Sequence, residues 1–160
     1  MKYYFKTLPA FVLLAFASCQ QKTYFETEHN AAIKNAVEIQ YMKLISALNL
    51  LDFSALSDNF SKDDFISAII GEKYLSPYHV WKDSVSNWLS QRERQQIKLV
   101  EISVRPLTTE LALMTSTTNW DILFKSGEQR KLKMYMSVLW KKENNSWKIV
   151  HLHESWEIIE

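Results

Sequence analysis

The apolar residues of this chain follow a helical period in its first half and give way to strand-forming runs after about residue 97. Few architectures accommodate that order. In residues 28–51 the side chains Ile33, Val37, Tyr41, Leu44, Leu48 and Leu51 recur at steps of three and four, one face of a long amphipathic helix. Tyr78, Trp81, Val85 and Trp88 form a second helical stripe. The second half then offers strands at residues 97–105, 109–124, 131–141 and 147–158, separated by Pro106, Ser126-Gly127 and Asn144-Asn145.

Helices followed by an antiparallel meander predict an α+β fold. Strands of about 10 to 14 residues twist and curl. The expected architecture is therefore a cone-shaped curved antiparallel sheet packed on N-terminal helices, with a hollow between them. Residues 52–59 read as a turn and a short helix, and residues 65–75 as two short strands around Gly71. Ser76-Pro77 reads as a helix start, Ser as N-cap and Pro at the first helical position. The polar run 91–95 reads as the end of that helix.

Hydrophobic residues make up 47% of the chain and aromatics 13%, enough for a well-filled core. A net charge of +1 argues against nucleic acid or an anionic lipid surface as partner. With two glycines there is no Gly-rich phosphate loop, and no nucleotide cofactor is expected. The single cysteine, Cys19, makes neither an internal disulfide nor a Cys-based metal site.

Cys19 instead points to location. Lys2 and Lys6 precede an apolar run from Leu8 to Ala17, about ten residues where a membrane span needs roughly 20. The string Phe16-Ala17-Ser18-Cys19 resembles a lipobox, with Phe16 in place of the usual Leu. The motif implies cleavage before Cys19 and acylation of that residue, and several acyl chains anchor stably. An ordinary signal peptide with a leftover thiol is the other reading. The expected organisation is a signal peptide at 1–18, a lipidated tether at 19–27 and a domain at 28–160. The expected location is the bacterial cell envelope. No Asp follows Cys19, which under the sorting rule of enteric bacteria implies the outer membrane.

The closing string Trp147-Lys148-Ile149-Val150-His151-Leu152-His153-Glu154-Ser155 resembles the last strand of the nuclear transport factor 2-like (SnoaL-like) superfamily. Its DUF4440-type members and the association domain of calmodulin-dependent protein kinase II are the most similar. The resemblance extends over residues 110–156 and, more loosely, back to Asp52-Phe53 and the first helix. It implies the cone fold and a homodimer, but no single activity, because the superfamily hosts isomerases, cyclases, dehydratases, oligomerisation hubs and binding modules. It also implies that Val150, Leu152, Glu154 and Trp156 point into the cone and His151 and His153 out of it. Glu154, Thr118 and Val138 match three pocket arginines of the kinase domain, which argues against an anion pocket of that type.

His151 and His153 share one strand face, as a metal pair would, but no third ligand is in sight, so an outer-face pair that packs or hydrogen-bonds is expected. Glu154, set among Leu152, Trp156, Trp120 and Trp140, would be desolvated and its pKa raised, as suits a general base or acid. Tyr41, Tyr78 or Tyr135 could donate to a developing oxyanion. The competing reading is that Glu154 only fixes its strand by hydrogen bonds. Trp81, Trp88, Trp120, Trp140, Trp147 and Trp156 wall the cone or fill it. The expected ligand pocket comprises Tyr41, Tyr78, Trp81, Thr118, Trp120, Val138, Trp140, Leu152, Glu154 and Trp156. The expected role is binding of a small hydrophobic or aromatic molecule, or self-association through the outer sheet face. The alternative is an isomerase- or hydratase-type enzyme that uses Glu154.

Overall fold

In the computed structural model, which describes the backbone of residues 10–159 and the side chains of residues 28–159, the first element is a helix, α1 (Ala10–Asn49). The chain divides into two units, Met1–Ala32 and Ile33–Glu160. Of the first, the backbone of α1 and the side chains of residues 28–32 are described. The readings placed on residues 1–27, the signal segment, the Cys19 anchor and the tether, concern side chains outside the described residues. No helix among the described residues is long and apolar enough to cross a membrane.

In the second unit the α1 stripe is buried as its period requires. Ile33, Val37, Tyr41, Leu44 and Ile45 are all in the core. Leu51 lies past the helix end in a left-handed conformation, φ 53°, still partly packed on that core. Asp52 then caps α2 (Phe53–Ser57), its Oδ1 accepting from Ala55 N at 3.0 Å. The hairpin β1 (Ser67–Ile70) and β2 (Lys73–Leu75) turns at Gly71, φ 60°. In α3 (Tyr78–Ser90), Trp81, Val85 and Leu89 are buried at steps of four. Ser76 is not its N-cap. Pro77 holds that position without a side-chain cap, and the Ser76 hydroxyl donates instead to Ile66 O at 2.8 Å.

The strands β3 (Arg92–Pro106), β4 (Leu111–Phe124), β5 (Gln129–Glu143) and β6 (Ser146–Ile158) complete a six-stranded sheet of order β2-β1-β6-β5-β4-β3. Only β1 and β6 run parallel. Of the polar run 91–95, Gln91 caps the end of α3 as expected, but residues 92–95 belong to β3. Its Gln95 is buried, donating to Leu48 O, while Ile97 N donates to Asn49 Oδ1 at 2.8 Å. These bonds tie the start of β3 to the end of α1 and explain why a polar stretch is pulled inside.

Register shifts interrupt the ladders near Glu93 and Val100 in β3 and at Val150 in β6. Each adds one residue to a strand, which bends it and sharpens the twist. The bulge also corrects one expectation. Val150 is buried but is the extra residue of β6, and Ile149 takes the core position. Beyond the bulge, Leu152 and Glu154 are buried, whereas His153 is exposed.

Candidate functional site

The concave face divides along its length. At one end Ala112, Met114, Val138, Trp140 and Ile149 are packed solid. At the other the sheet and helices stand apart around a cavity of about 970 Å³. Its walls are Trp81, Val85 and Leu89 of α3, Trp120 and Ile122 of β4, Met134 and Met136 of β5, and Leu152 of β6. Such a volume is in the range of ligand-sized pockets, roughly 300–1,000 Å³.

Glu154 faces this space from β6, with Met136 of β5 and Ile70 of β1 beside it in register. Burial pushes its carboxyl up to about 7, and the Arg92 charge pulls it partly back. The two do not form a close ion pair. Among the described residues the ion pairs within 4.0 Å are Arg130–Glu128, Lys133–Glu157 and Lys141–Asp64.

Arg92 comes from the first residue of β3, a position read from sequence as the polar end of a helix. Its Nη1 donates to Gln95 Oε1, and its guanidinium lies over the Trp120 ring, 5.7 Å from the centroid. Its buried Nε has no partner. Burial lowers its pKa and Glu154 raises it, and an Arg stays protonated throughout.

Five expected pocket residues, Trp81, Trp120, Leu152, Glu154 and Trp156, line the cavity together. The other five do not line it. Val138 and Trp140 are fully buried at the filled end, and the Trp140 indole N–H has no partner there. Thr118 lies behind Trp120 and accepts its indole N–H at 2.8 Å, fixing that ring. The Tyr41 hydroxyl is bonded to Ser116 Oγ at 2.7 Å, not to Glu154. Burial first, and then the Glu154 charge, push that phenol up to about 12, so it stays protonated. Tyr78 packs in the aromatic cluster with Trp81 and Phe65, ring centroids 5.4 and 5.9 Å away. Tyr135 is on the outer face, donating to Glu157 at 2.8 Å.

Sequence reasoning missed Arg92 and the Gly71 turn as parts of the site, while Trp88, expected to wall the cone or fill it, lines the cavity. A Cβ at Gly71 would lie 2.5 Å from Trp156 Cη2, so the indole of Trp156 rests on bare backbone at the cavity mouth. Of the histidine pair, His151 Nδ1 is bonded to Ser67 Oγ at 3.0 Å and His153 is exposed. No group of three His, Cys, Asp or Glu able to hold a metal ion is found among the described residues.

A model of the SnoaL-like domain matches residues 37–159. Solved structures share the fold. A nuclear transport factor 2-like superfamily protein from Salmonella enterica is 15% identical, covering 78% of this chain and 91% of that one at a TM-score of 0.71. A protein proposed to be a calcium/calmodulin-dependent protein kinase II association domain, from Xanthomonas campestris, is 14% identical, covering 76% and 85%, TM-score 0.65. A hexachlorocyclohexane dehydrochlorinase from Novosphingobium barchaimii is 8% identical, covering 78% and 87%, TM-score 0.66. At these identities the likeness is one of fold. No match is found among the curated proteins.

Proposed function

This chain belongs to the SnoaL-like domain family, and we propose that it binds a small, largely apolar molecule in the cone. The observation that carries this reading is the open cavity of about 970 Å³ between walls of Trp, Met and Leu, with one desolvated carboxyl at its side. A protein that needed only a core would fill such a space, since interiors are packed as densely as organic crystals. Ligand-observed NMR with indole and 2-naphthol tests the reading. Both should bind, and Leu152→Trp, which fills the cavity, should abolish the signal. Absence of binding to the wild-type protein would end it.

A second reading is supported by Glu154 itself. A carboxyl titrating near neutrality beside an apolar pocket suits proton transfer of the isomerase or hydratase kind, and a dehydrochlorinase shares this fold. Against it, among the described residues no Tyr hydroxyl is bonded to Glu154, and that of Tyr41 is held by Ser116. Should a substrate be found, Glu154→Gln is expected to remove turnover, and unchanged turnover would remove Glu154 from that role.

The proposal extends to the rest of the chain. Export and acylation at Cys19 would tether the domain to the bacterial envelope, with the outer membrane as the expected site. Cys19→Ser should lose both a fatty-acid label and the membrane fraction, and retained labelling would remove the anchor. The outer sheet face, with Tyr135, Ser137 and His153 exposed, is the proposed homodimer surface. Sedimentation as a monomer at all concentrations would exclude it.

A further inference from the structure

The ionisable groups around the cavity are unequally placed. Glu72, Lys73 and Arg130 are exposed at its mouth, where Arg130 pairs with Glu128 at 2.5 Å and Lys73 lies over the Trp88 ring, 5.1 Å from the centroid. Arg92 and Glu154 are the two set further in, Glu154 buried and Arg92 half-buried. They are more than 4 Å apart, and among the described residues no carboxylate lies within 4.0 Å of Arg92.

A half-buried cation that lines the cavity with no carboxylate paired to it calls for an acceptor, because leaving it unpaired costs free energy. We infer that the ligand is a small organic acid, its carboxylate seated between Arg92 and Glu154 and its apolar body laid along Trp120, Met136 and Leu152. This inference rests on the reading that the cone holds a ligand. The guanidinium fork matches a carboxylate in shape and charge. Arg92 is held in place for it by Gln95, which is itself bonded to the end of α1, and by stacking on Trp120, which Thr118 fixes in turn. A neutral ligand would give Arg92 no charged acceptor, and an ammonium would meet a like charge.

Glu154 completes the seat only while protonated, when its O–H donates to the ligand carboxylate. The groups facing it are Arg92 from β3 and Tyr41 from α1, with uncharged Met136 and Ile70 on its flanking strands and Glu72, Lys73 and Arg130 further out at the mouth. Arg92 and Tyr41 keep their protons through neutrality. Glu154 is therefore the group that changes between pH 6 and 8, as its carboxyl titrates at about 7. Ionised, it repels the ligand.

Calorimetric titration of the full-length protein with 2-naphthylacetate, its amide and 2-naphthylethylamine tests this. At about pH 6 the acid is expected to bind roughly tenfold tighter than the amide, with the amine weakest. Arg92→Gln should bring acid and amide to equal affinity, and Arg92→Lys should keep most of the preference. Between about pH 6 and 8 the acid's affinity should fall roughly tenfold in the wild type, and stay level in Glu154→Gln. If Arg92→Gln does not fold, the wild-type acid-to-amide ratio and its pH profile decide alone. An acid no tighter than its amide, or an amine that binds best, overturns the inference while leaving the binding reading intact. No heat from any of the three, with the protein folded, overturns both.

Discussion

Met136 and Tyr135 are neighbours on β5, yet Met136 is buried against the cavity and Tyr135 is exposed on the opposite face, its hydroxyl on Glu157. The same alternation runs across the sheet. Inward lie Trp120, Met134, Leu152 and Glu154. Outward lie Thr115, Ser137, His153 and Ser155, around a shallow polar dish of about 330 Å³. One step along a strand thus moves a side chain between two chemistries. The concave face is further divided, filled around Trp140 and hollow around Glu154. The face of a strand decides what type of residue is tolerated, and the position along it decides whether that residue is structure or site.

Substitutions at matched depths can break this contrast. The largest effect is expected at the filled end. Trp140→Ala should cost about 3–5 kcal/mol by denaturant unfolding, since the ring is fully buried. A cost under about 1 kcal/mol would mean that the filled end is not packed as described.

Next is Glu154, through pH. Its folded pKa of about 7 lies above the ordinary 4.5, so the unfolded chain ionises first as pH rises. Stability is unaffected below the lower value, declines between the two and is level above the upper one. Glu154→Gln should therefore match the wild type at about pH 4 and exceed it at about pH 8 by on the order of 3 kcal/mol. Parallel stability profiles for the two proteins would refute the buried carboxyl.

Gly71→Ala should be milder, about 1–2 kcal/mol, combining a positive φ with displacement of the Trp156 indole. Thermal unfolding measures it, and a gain in stability would contradict the contact. The smallest effect is expected on the outer face, where His153→Ala should stay within about 0.5 kcal/mol. A large loss there in dilute solution would assign that face a structural partner.

Much of this contrast was legible in the sequence. The stripes of α1 and α3 and the long strands follow from period alone, and the inward side that the family resemblance implied for Leu152, Glu154 and Trp156 is the side of β6 that lines the cavity. Val150 was misassigned because a bulge resets the alternation by one, and a bulge leaves no mark in composition. Val138 and Thr118 were placed in the pocket by matching pocket positions of the kinase association domain, and Trp140 as an aromatic neighbour of Glu154. How far the helices fill the cone depends on contacts such as Tyr41 to Ser116, 75 residues apart. Arg92 was overlooked for the same reason. It is drawn inward by Gln95, whose partner Leu48 O is 47 residues earlier in the chain.

The parallel pairing of β1 with β6 has a kinetic side. Strands β3 to β6 can join successively, each to its neighbour in sequence, whereas β1 meets β6 across 84 residues, as in the bond from Ser67 to His151. Closing so long a loop is entropically costly and is favoured only once the strand to be paired already exists. The hairpin bearing Gly71 and the strand bearing Glu154 would thus come together late in folding. In a stopped-flow experiment, destabilising Ala68 in β1 should mainly hasten unfolding, whereas a substitution in the β4–β5 hairpin should also slow folding.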